Sequence, residues 1–266
     1  MTLSTLTKAF IYNRLNDNRG GADTAGTFPE LRDLLTLSVQ QVLPSTNAYL
    51  LQQPMRDQQW SVVIAQQQTQ GRGQRDHQFA SPIGGLYLSL LMPVRDSAQF
   101  NTFQQTAAAG VALAETIQAL LHYEVQLKWV NDVYDQQQKL AGILTEGYLD
   151  VTGRLSGVVV GVGLNFASTI ETEHIGNLRA LVVAQQVTIN QFSAQYLNRL
   201  YTLLQLPTLE LTRRYQRWTP LVGRKLQTIA GQPVQDISVS ALKPDGTLIL
   251  SNQQIVRIGQ RVRFAD

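Results

Sequence analysis

The chain has 266 residues, of which 44% are hydrophobic and 15% are charged, an ordinary composition for a globular protein that buries a sizeable core. It contains no cysteine, which excludes a disulfide framework, a thiolate metal site and a cysteine nucleophile. The net charge is +3, and its basic surplus follows residue 212, where nine Lys or Arg accompany three Asp or Glu, a balance compatible with an acidic partner or with a solvated face.

The first 42 residues are predicted to form a short extension packed on the main body. Apolar spacing predicts a helix over residues 2–17, a loop over 18–26, and a segment over 29–42 that begins as a helix and ends as a strand. A winged helix-turn-helix needs about 60 residues, so we expect no specific DNA binding. No signal peptide and no membrane-spanning run is evident, and a cytoplasmic location without membrane contact is expected.

The main body is predicted to span residues 43–220 and to alternate strands with amphipathic helices. A helix start is expected at Ser45 or Thr46, and the strongest helical pattern is alanine-rich. The predicted strands cover residues 60–65, 86–92, 125–130, 139–149 and 157–165, and the predicted helices cover 100–122, 189–206 and 209–218.

The hydrophobic pattern of the sequence changes after Pro220. Short alternating runs separated by glycine and Pro-Asp-Gly turns predict a small all-β unit over residues 221–266, most simply a compact barrel docked on the body.

A polar loop lies between the first two predicted strands of the body. Residues 71–75 read Gly-Arg-Gly-Gln-Arg, and two cationic side chains on a glycine-bearing loop between buried strands indicate a place where an anion is held.

Several well-known motifs are absent from the sequence. There is no phosphate-binding P-loop, Gly161-Val162-Gly163 lacks the third glycine of a dinucleotide site, and Ser156 is misplaced for a nucleophile elbow. The three histidines show no metal-ligand spacing. These absences argue against a P-loop nucleotide-binding protein, a Rossmann dehydrogenase, a serine hydrolase and a zinc enzyme.

Several polar residues suit the binding of a neutral ring and an anion, although each also has a purely structural interpretation. Ser45 and Thr46 offer hydroxyls, or a helix cap, and Arg72 offers a fork of donors, or a solvated charge. Lys139 begins an apolar strand, where it carries a weakly solvated charge or faces water. Asn131 and Asp132 follow a strand end, where they are metal and phosphate ligands or only a turn.

Four ordered segments together resemble the biotin protein ligases. They are 45–47; 68 with 71–75, 79–82 and 86–89; 128–132 with 139–146; and 161–165. The resemblance covers residues 43–264. It implies an α+β fold with a mixed central sheet flanked by helices, as in class II synthetases, and a C-terminal SH3-like β-barrel.

The resemblance also implies a reaction. Biotin is activated by ATP and Mg²⁺ as biotinyl-AMP and then transferred to a lysine of a biotin carboxyl carrier domain, such as that of acetyl-CoA carboxylase. No enzyme nucleophile is required, so catalysis rests on positioning and electrostatics. The sequence is compatible with either a monomer or a homodimer.

The resemblance assigns roles residue by residue. Lys139 and Arg72 are the catalytic residues, and Asp132 is the Mg²⁺ ligand. The biotin site comprises Ser45, Thr46, Asn47, Gln68, Gly71, Arg72, Lys139, Gly161 and Gly163. The ATP and adenylate site comprises Arg72, Gly73, Arg75, Phe79, Asn131, Asp132, Lys139 and Asn165.

The glycine loop departs from the family's usual arginine-rich pattern. Gln74 and His77 stand where the family has arginine, Asp76 where it has glycine and Phe79 where it has tryptophan. Because charge near the adenylate is reduced, we predict weaker retention of biotinyl-AMP.

Three other functions are weighed against the ligase. A biotin-binding paralogue with weak transfer is suggested by Gln74 and Asp76, although Lys139 is present. A lipoate or octanoate ligase shares the lysine but not the Gly71-Arg72-Gly73 loop, and a DNA-binding repressor is disfavoured by the short N-terminal extension.

Overall fold

The computed structural model describes residues 6–15, 31–55, 59–94, 96–97, 100–136, 138–170 and 172–264. The predicted loop over 18–26, both ends of the helix predicted over 2–17 and the Asp76 side chain lie outside the described part. The helices are α1 Lys8–Asn13, α2 Leu31–Leu34, α3 Thr46–Leu51, α4 Thr102–Leu121, α5 Arg179–Ala184, α6 Ile189–Leu204 and α7 Thr208–Trp218. The strands of the body are β1 Leu35–Leu43, β2 Trp60–Gln68, β3 Leu86–Pro93, β4 Gln126–Lys128, β5 Asp132–Asp135, β6 Gln138–Leu149 and β7 Leu155–Leu164.

These body strands form one seven-stranded sheet in the order β1-β2-β3-β7-β6-β5-β4. Only the β1–β2 pair is parallel, so the sheet is mixed and the predicted fold class is confirmed. The predicted extension does more than pack on the body, because β1 pairs with β2 from Leu35↔Trp60 to Leu43↔Gln68 and is therefore an edge strand of the body's sheet.

The two faces of the sheet are covered differently. Helix α4, with α6 and α7 packed against it, covers one face and builds the main core. The Asn101 side chain caps α4 by accepting a hydrogen bond from Phe103 N at 2.9 Å, and the helix ends at His122 in a left-handed conformation. The short helix α3 packs on β2, β3 and β7 on the opposite face.

Side-chain alternation along the strands separates the two faces. Val62 and Ile64 of β2 join the main core, whereas Val63 between them joins a small cluster with Leu50 of α3 and Leu91 of β3. Since residues two apart share a face, Ser89 of β3 points to the α3 side with Leu91.

Two elements were not predicted. From the sequence, Asn131 and Asp132 are expected only to follow a strand end, yet Asp132 begins strand β5, Asp132–Asp135. No helix is predicted where the structure has α5. Both segments are short and carry little periodic signal. Residues 132–135 form a strand because they pair with β4 on one side and β6 on the other.

The C-terminal segment forms two small antiparallel sheets, in agreement with the predicted SH3-like unit. Its strands are β8 Leu226–Ile229, β9 Gln232–Pro233, β10 Val239–Leu242, β11 Leu248–Leu250, β12 Ile255–Val256 and β13 Val262–Phe264. Trp129 Nε1 donates to Gly246 O at 3.0 Å, and Asn101 Nδ2 donates to Pro244 O at 3.0 Å, so one turn of this unit is tied to the body. Within the described ranges, no helix combines the length and apolarity needed to cross a bilayer.

Replacing Gly246 by alanine is expected to destabilise the protein by about 2–4 kcal/mol, measured by urea denaturation. Gly246 has φ +83°, and an added Cβ would lie 2.6 Å from the Phe103 ring. Gly223→Ala is the matched control, because Gly223 has φ +86° and open space around it, and we expect a cost of about 1 kcal/mol there. Equal costs for the two variants would contradict this account of the turn's packing.

Candidate active site

A cleft lies on the α3 face of the sheet. It is bounded by the start of α3, the last residue of β2, the glycine loop after β2 and the facing strands β6 and β7. The lining residues are Ser45, Thr46, Asn47, Gln68, Arg72, Gly73, Gln74, Phe79, Asn131, Lys139, Gly142, Ile143, Leu144, Gly161, Val162 and Gly163.

Gln68 joins the start of α3 to the far end of the glycine loop. The Thr46 backbone N–H and hydroxyl both donate to Gln68 Oε1, at 2.8 and 3.0 Å. Gln68 Nε2 donates to Ser81 Oγ at 2.9 Å, and Ser81 donates in turn to Phe79 O at 2.8 Å. Ser45 precedes this array and caps α3, since its Oγ accepts from the backbone N–H three residues on.

Asn47 and Ser89 carry the hydrogen bonds across the floor of the cleft. Ser89 Oγ, which is fully buried, lies 2.7 Å from Thr46 Oγ1 and 2.6 Å from Asn47 Oδ1. Asn47 Nδ2 donates to Glu146 Oε2 at 2.8 Å and to Leu144 O at 3.2 Å. The amide protons of Asn47 are therefore used to hold α3 against β6.

Both predicted catalytic cations are held by carboxylates. Arg72 Nη2 lies 2.8 Å from Glu146 Oε1, and Lys139 Nζ lies 2.6 Å from Asp132 Oδ1. Lys139 and both carboxylates are mostly shielded from solvent, whereas the Arg72 side chain is 47% exposed. Pairing keeps these partly buried charges from carrying a large desolvation cost, and it also fixes where each cation lies.

The two predicted glycines of β7 are required by side chains of the site. A Cβ on Gly161 would lie 2.0 Å from Asn47 Oδ1, and one on Gly163 would lie 2.5 Å from the Phe79 ring. Asn47 and Phe79 thus pack directly on the strand. Close packing therefore accounts for the absence of a side chain at both positions.

Tyr87 holds the end of the glycine loop. Its hydroxyl donates to Pro82 O at 2.7 Å, and its ring makes an edge-on contact with Phe79 at 6.5 Å between centroids. Burial raises the pKa of Tyr87 above its usual value, so the hydroxyl stays protonated and remains a donor.

The structure brings most of the predicted site residues to the cleft but places Gly71, Arg75, Asp132 and Asn165 outside its lining. Gly71 is buried at the base of the loop, where its carbonyl accepts from Phe79 N. Asp132 lies behind Lys139 as its partner.

Arg75 and Asn165 make structural contacts that the sequence did not indicate. Arg75 Nη2 donates to Gly259 O at 2.8 Å and so links the glycine loop to the C-terminal unit. Asn165 Nδ2 is buried and donates to Gly176 O at 3.0 Å and to Lys139 O at 3.4 Å, which supports the strand that carries Lys139. The phosphate and nucleotide roles predicted for these two residues remain predictions.

Three polar residues that hold the lining in place were not given a role from sequence, namely Glu146, Ser89 and Ser81. A signal existed for two of them, because Ser89 interrupts an apolar run and Glu146 is a carboxylate near the end of a largely apolar run that starts at Leu140. Among the departures in the loop, Gln74 lines the cleft and His77 is exposed.

Comparison with known proteins agrees with this architecture. Residues 39–165 match the model of the biotin/lipoate A/B protein ligase family. The bifunctional ligase/repressor BirA of Escherichia coli K12 is 30% identical over 232 residues, which cover 84% of this chain and 71% of that protein. The biotin–[acetyl-CoA-carboxylase] ligase of Mycobacterium tuberculosis is 35% identical over 133 residues, 48% of this chain and 48% of that protein.

Solved structures share the fold. The biotin protein ligase from Aquifex aeolicus in complex with biotin and ATP has a TM-score of 0.69 at 20% identity, covering 86% of this chain and 99% of that one. The biotin acetyl coenzyme A carboxylase synthetase from Helicobacter pylori with bound biotinylated ATP has a TM-score of 0.54 at 22% identity, covering 86% and 99%.

The sheet order, the small C-terminal unit and the cleft define a protein ligase of the biotin and lipoate class. The extent of the match to the Escherichia coli relative narrows this class, and the chain belongs to the biotin protein ligase family.

Replacing Ser89 by alanine is expected to destabilise the protein by about 1–3 kcal/mol, because the buried Thr46 hydroxyl and the buried Asn47 carbonyl oxygen each lose a hydrogen-bond partner. Thermal and urea denaturation measure the change. Ser168→Ala is the matched control, since Ser168 is equally buried while its Oγ meets no partner within the described ranges. We expect at most about 0.5 kcal/mol there, and a similar cost in both variants would contradict the role of the Ser89 contacts.

Proposed function

We propose that this chain is an ATP-dependent ligase that biotinylates a carrier protein. In the first step the carboxylate of biotin attacks the α-phosphate of ATP, which forms biotinyl-AMP and releases pyrophosphate. In the second step a lysine amine of a biotin carboxyl carrier domain attacks the biotinyl carbonyl, which forms an amide and releases AMP. The observation that carries the proposal is one cleft lined by a neutral hydrogen-bonding wall and by both Arg72 and Lys139.

The neutral wall suits the ureido ring of biotin. Gln68 Oε1 is occupied by Thr46, and one proton of Gln68 Nε2 is occupied by Ser81. Within the part of the chain that the structure describes, the second Nε2 proton and the Ser45 hydroxyl proton are left for a ligand, while Ser45 Oγ accepts from Ala48 N. A ureido group offers one carbonyl acceptor to such donors and has two N–H donors of its own.

Arg72 and Lys139 suit the reacting groups. A carboxylate and a phosphate repel one another as they approach, and fixed cations offset that repulsion without reorganisation during the reaction. In the proposed complex Arg72 binds the carboxylate or the adenylate with its fork of donors, and Lys139 stabilises charge that develops between the two groups. Asp132 and Glu146 hold these cations in place.

The residues near Lys139 are compatible with Mg²⁺ that arrives with the nucleotide. Mg²⁺ commonly takes one or two carboxylates and completes its shell with phosphate oxygens and water. Across the described ranges, no group of three acidic or histidine side chains forms a ready-made metal cage. Asp132, with Asn131 beside it, would hold the ion together with ATP phosphates, and the ion would supply charge neutralisation there.

The proposed acceptor is a carboxyl carrier domain of a carboxylase. The name of the Mycobacterium tuberculosis relative specifies acetyl-CoA carboxylase as its substrate. The basic surplus after residue 212 would favour an acidic acceptor. The name of the Escherichia coli relative also specifies a repressor, and we propose no repressor activity for this chain.

Incubation with labelled biotin, ATP, Mg²⁺ and a carrier domain is expected to label the carrier, and Lys139→Ala should slow biotin-dependent ATP–pyrophosphate exchange by about 100- to 1,000-fold. Lys8→Ala removes an exposed lysine of α1 and should leave the rate unchanged. Exchange without carrier labelling would favour a biotin-binding paralogue with weak transfer. Exchange that depends on lipoate or octanoate rather than biotin would instead assign a lipoate-type ligase.

Gln74→Arg is expected to slow the release of biotinyl-AMP by about tenfold, because it adds a cation to the lining of the cleft. Release is measured by rapid filtration of protein loaded with labelled biotin and ATP. Gln78→Arg adds the same charge at an exposed loop position outside the cleft lining and should leave release unchanged. Slow release from the unchanged protein, not further slowed by Gln74→Arg, would refute the effect assigned to Gln74.

A further inference from the structure

Glu146 is a carboxylate beside the cleft, where it pairs with Arg72 of the lining. It lies on β6, where it shares a face with Gly142 and Leu144, both of which line the cleft. Its side chain is 20% exposed, and its partner across the sheet is Val159 of β7. A carboxylate at such a position is costly unless its oxygens are paired.

Both oxygens of Glu146 are paired, and each reaches a different part of the site. Oε1 lies 2.8 Å from Arg72 Nη2 on the glycine loop, and Oε2 accepts from Asn47 Nδ2 at 2.8 Å on α3. Asn47 is itself bonded to Leu144 O and to Ser89. The hydrogen bond from Asn47 to Oε2 therefore restrains the Glu146 carboxylate from rotating, while Oε1 stays directed at Arg72.

Arg72 gains most from this fixed partner. Its side chain is long and flexible, is 47% exposed and stands on a polar loop, so an untethered guanidinium would lose considerable conformational freedom on meeting a ligand. The guanidinium carries five N–H donors in a planar fork. Engaging one nitrogen with Glu146 leaves other donors of the fork for an anion in the cleft.

We propose that Glu146 is a positioning residue that acts through Arg72. It holds the guanidinium over the cleft so that the remaining N–H groups meet the carboxylate of biotin or the phosphate of the adenylate. This inference rests on the proposed function. Competition between Glu146 and the substrate for Arg72 is the opposite arrangement, and the pairing of Oε2 with Asn47 argues against it, because the carboxylate stays in place while Arg72 serves both partners.

The test is Glu146→Gln, which keeps an acceptor for Asn47 and removes the charge beside Arg72. We expect KM for biotin in ATP–pyrophosphate exchange to rise about tenfold while kcat changes less than about twofold, since a weakened preorganisation lowers substrate affinity. Glu146→Asp retains the charge and should raise KM less. A rise in Glu146→Asp that equals or exceeds the rise in Glu146→Gln would show that the charge beside Arg72 is not the deciding property, and would overturn the proposal.

Glu115→Gln is the matched control. Glu115 of α4 also bridges two cations, with contacts of 3.3 Å to Arg199 and 3.6 Å to Arg214, and its side chain is 22% exposed, but it lies on the helix that covers the opposite face of the sheet. Its variant should leave KM for biotin unchanged even where the thermal midpoint falls. A KM that rises equally in Glu115→Gln would overturn the proposal.

A double-mutant cycle with Arg72→Ala tests whether Glu146 acts through Arg72. The double variant should have the KM of Arg72→Ala alone, whereas a further tenfold rise, or a KM for Glu146→Gln below that of the unchanged protein, would overturn the proposal. Absence of biotin-dependent exchange in the unchanged protein would overturn the proposed function instead. In that case the Kd for labelled biotin, measured by equilibrium dialysis without ATP, replaces KM in the comparison among the variants.

Discussion

The architecture of the cleft depends on a continuous series of polar contacts that starts at one end of the glycine loop and returns to its other end. Each member satisfies the next, so the loop, α3 and the strands β2, β3 and β6 are held in one arrangement, and loss of a single member leaves buried polar atoms unpaired. The series comprises Arg72, Glu146, Asn47, Ser89, Thr46, Gln68, Ser81 and the carbonyl of Phe79.

The sheet makes such a series possible because its two faces differ. The α4 face is filled by apolar side chains, while α3 covers only part of the other face. Alternation along β3 places Ser89 beneath α3, and the absence of side chains at Gly161 and Gly163 lets Asn47 and Phe79 lie on β7. Rigid strands therefore present the polar groups, and the apolar face supplies the stability that the polar face does not.

The two arginines of the glycine loop make different contacts. Arg72 lines the cleft and forms an ion pair with Glu146, whereas Arg75 donates a hydrogen bond to Gly259 of the C-terminal unit. Gln74 lines the cleft without a charge. Among the lining residues, Arg72 and Lys139 thus carry the positive charge, and the loop joins the small C-terminal unit to the wall of the cleft.

Sequence patterns indicated the long elements and the small β unit, because periodicity is a local signal. The mixed α+β class and the grouping of Ser45-Thr46, Gln68, Arg72 and Lys139 in one site came from the resemblance of ordered motifs to the biotin protein ligases. Tertiary structure decided that residues 35–43 extend the sheet, that Asp132–Asp135 is a strand, and which partner each charge takes. Asn47 and Glu146 stand 99 residues apart and Arg75 and Gly259 stand 184 apart, so no local pattern couples them. The physical reason is that a hydrogen bond or ion pair depends on distances of a few ångströms, which are defined only after the sheet has brought distant segments together.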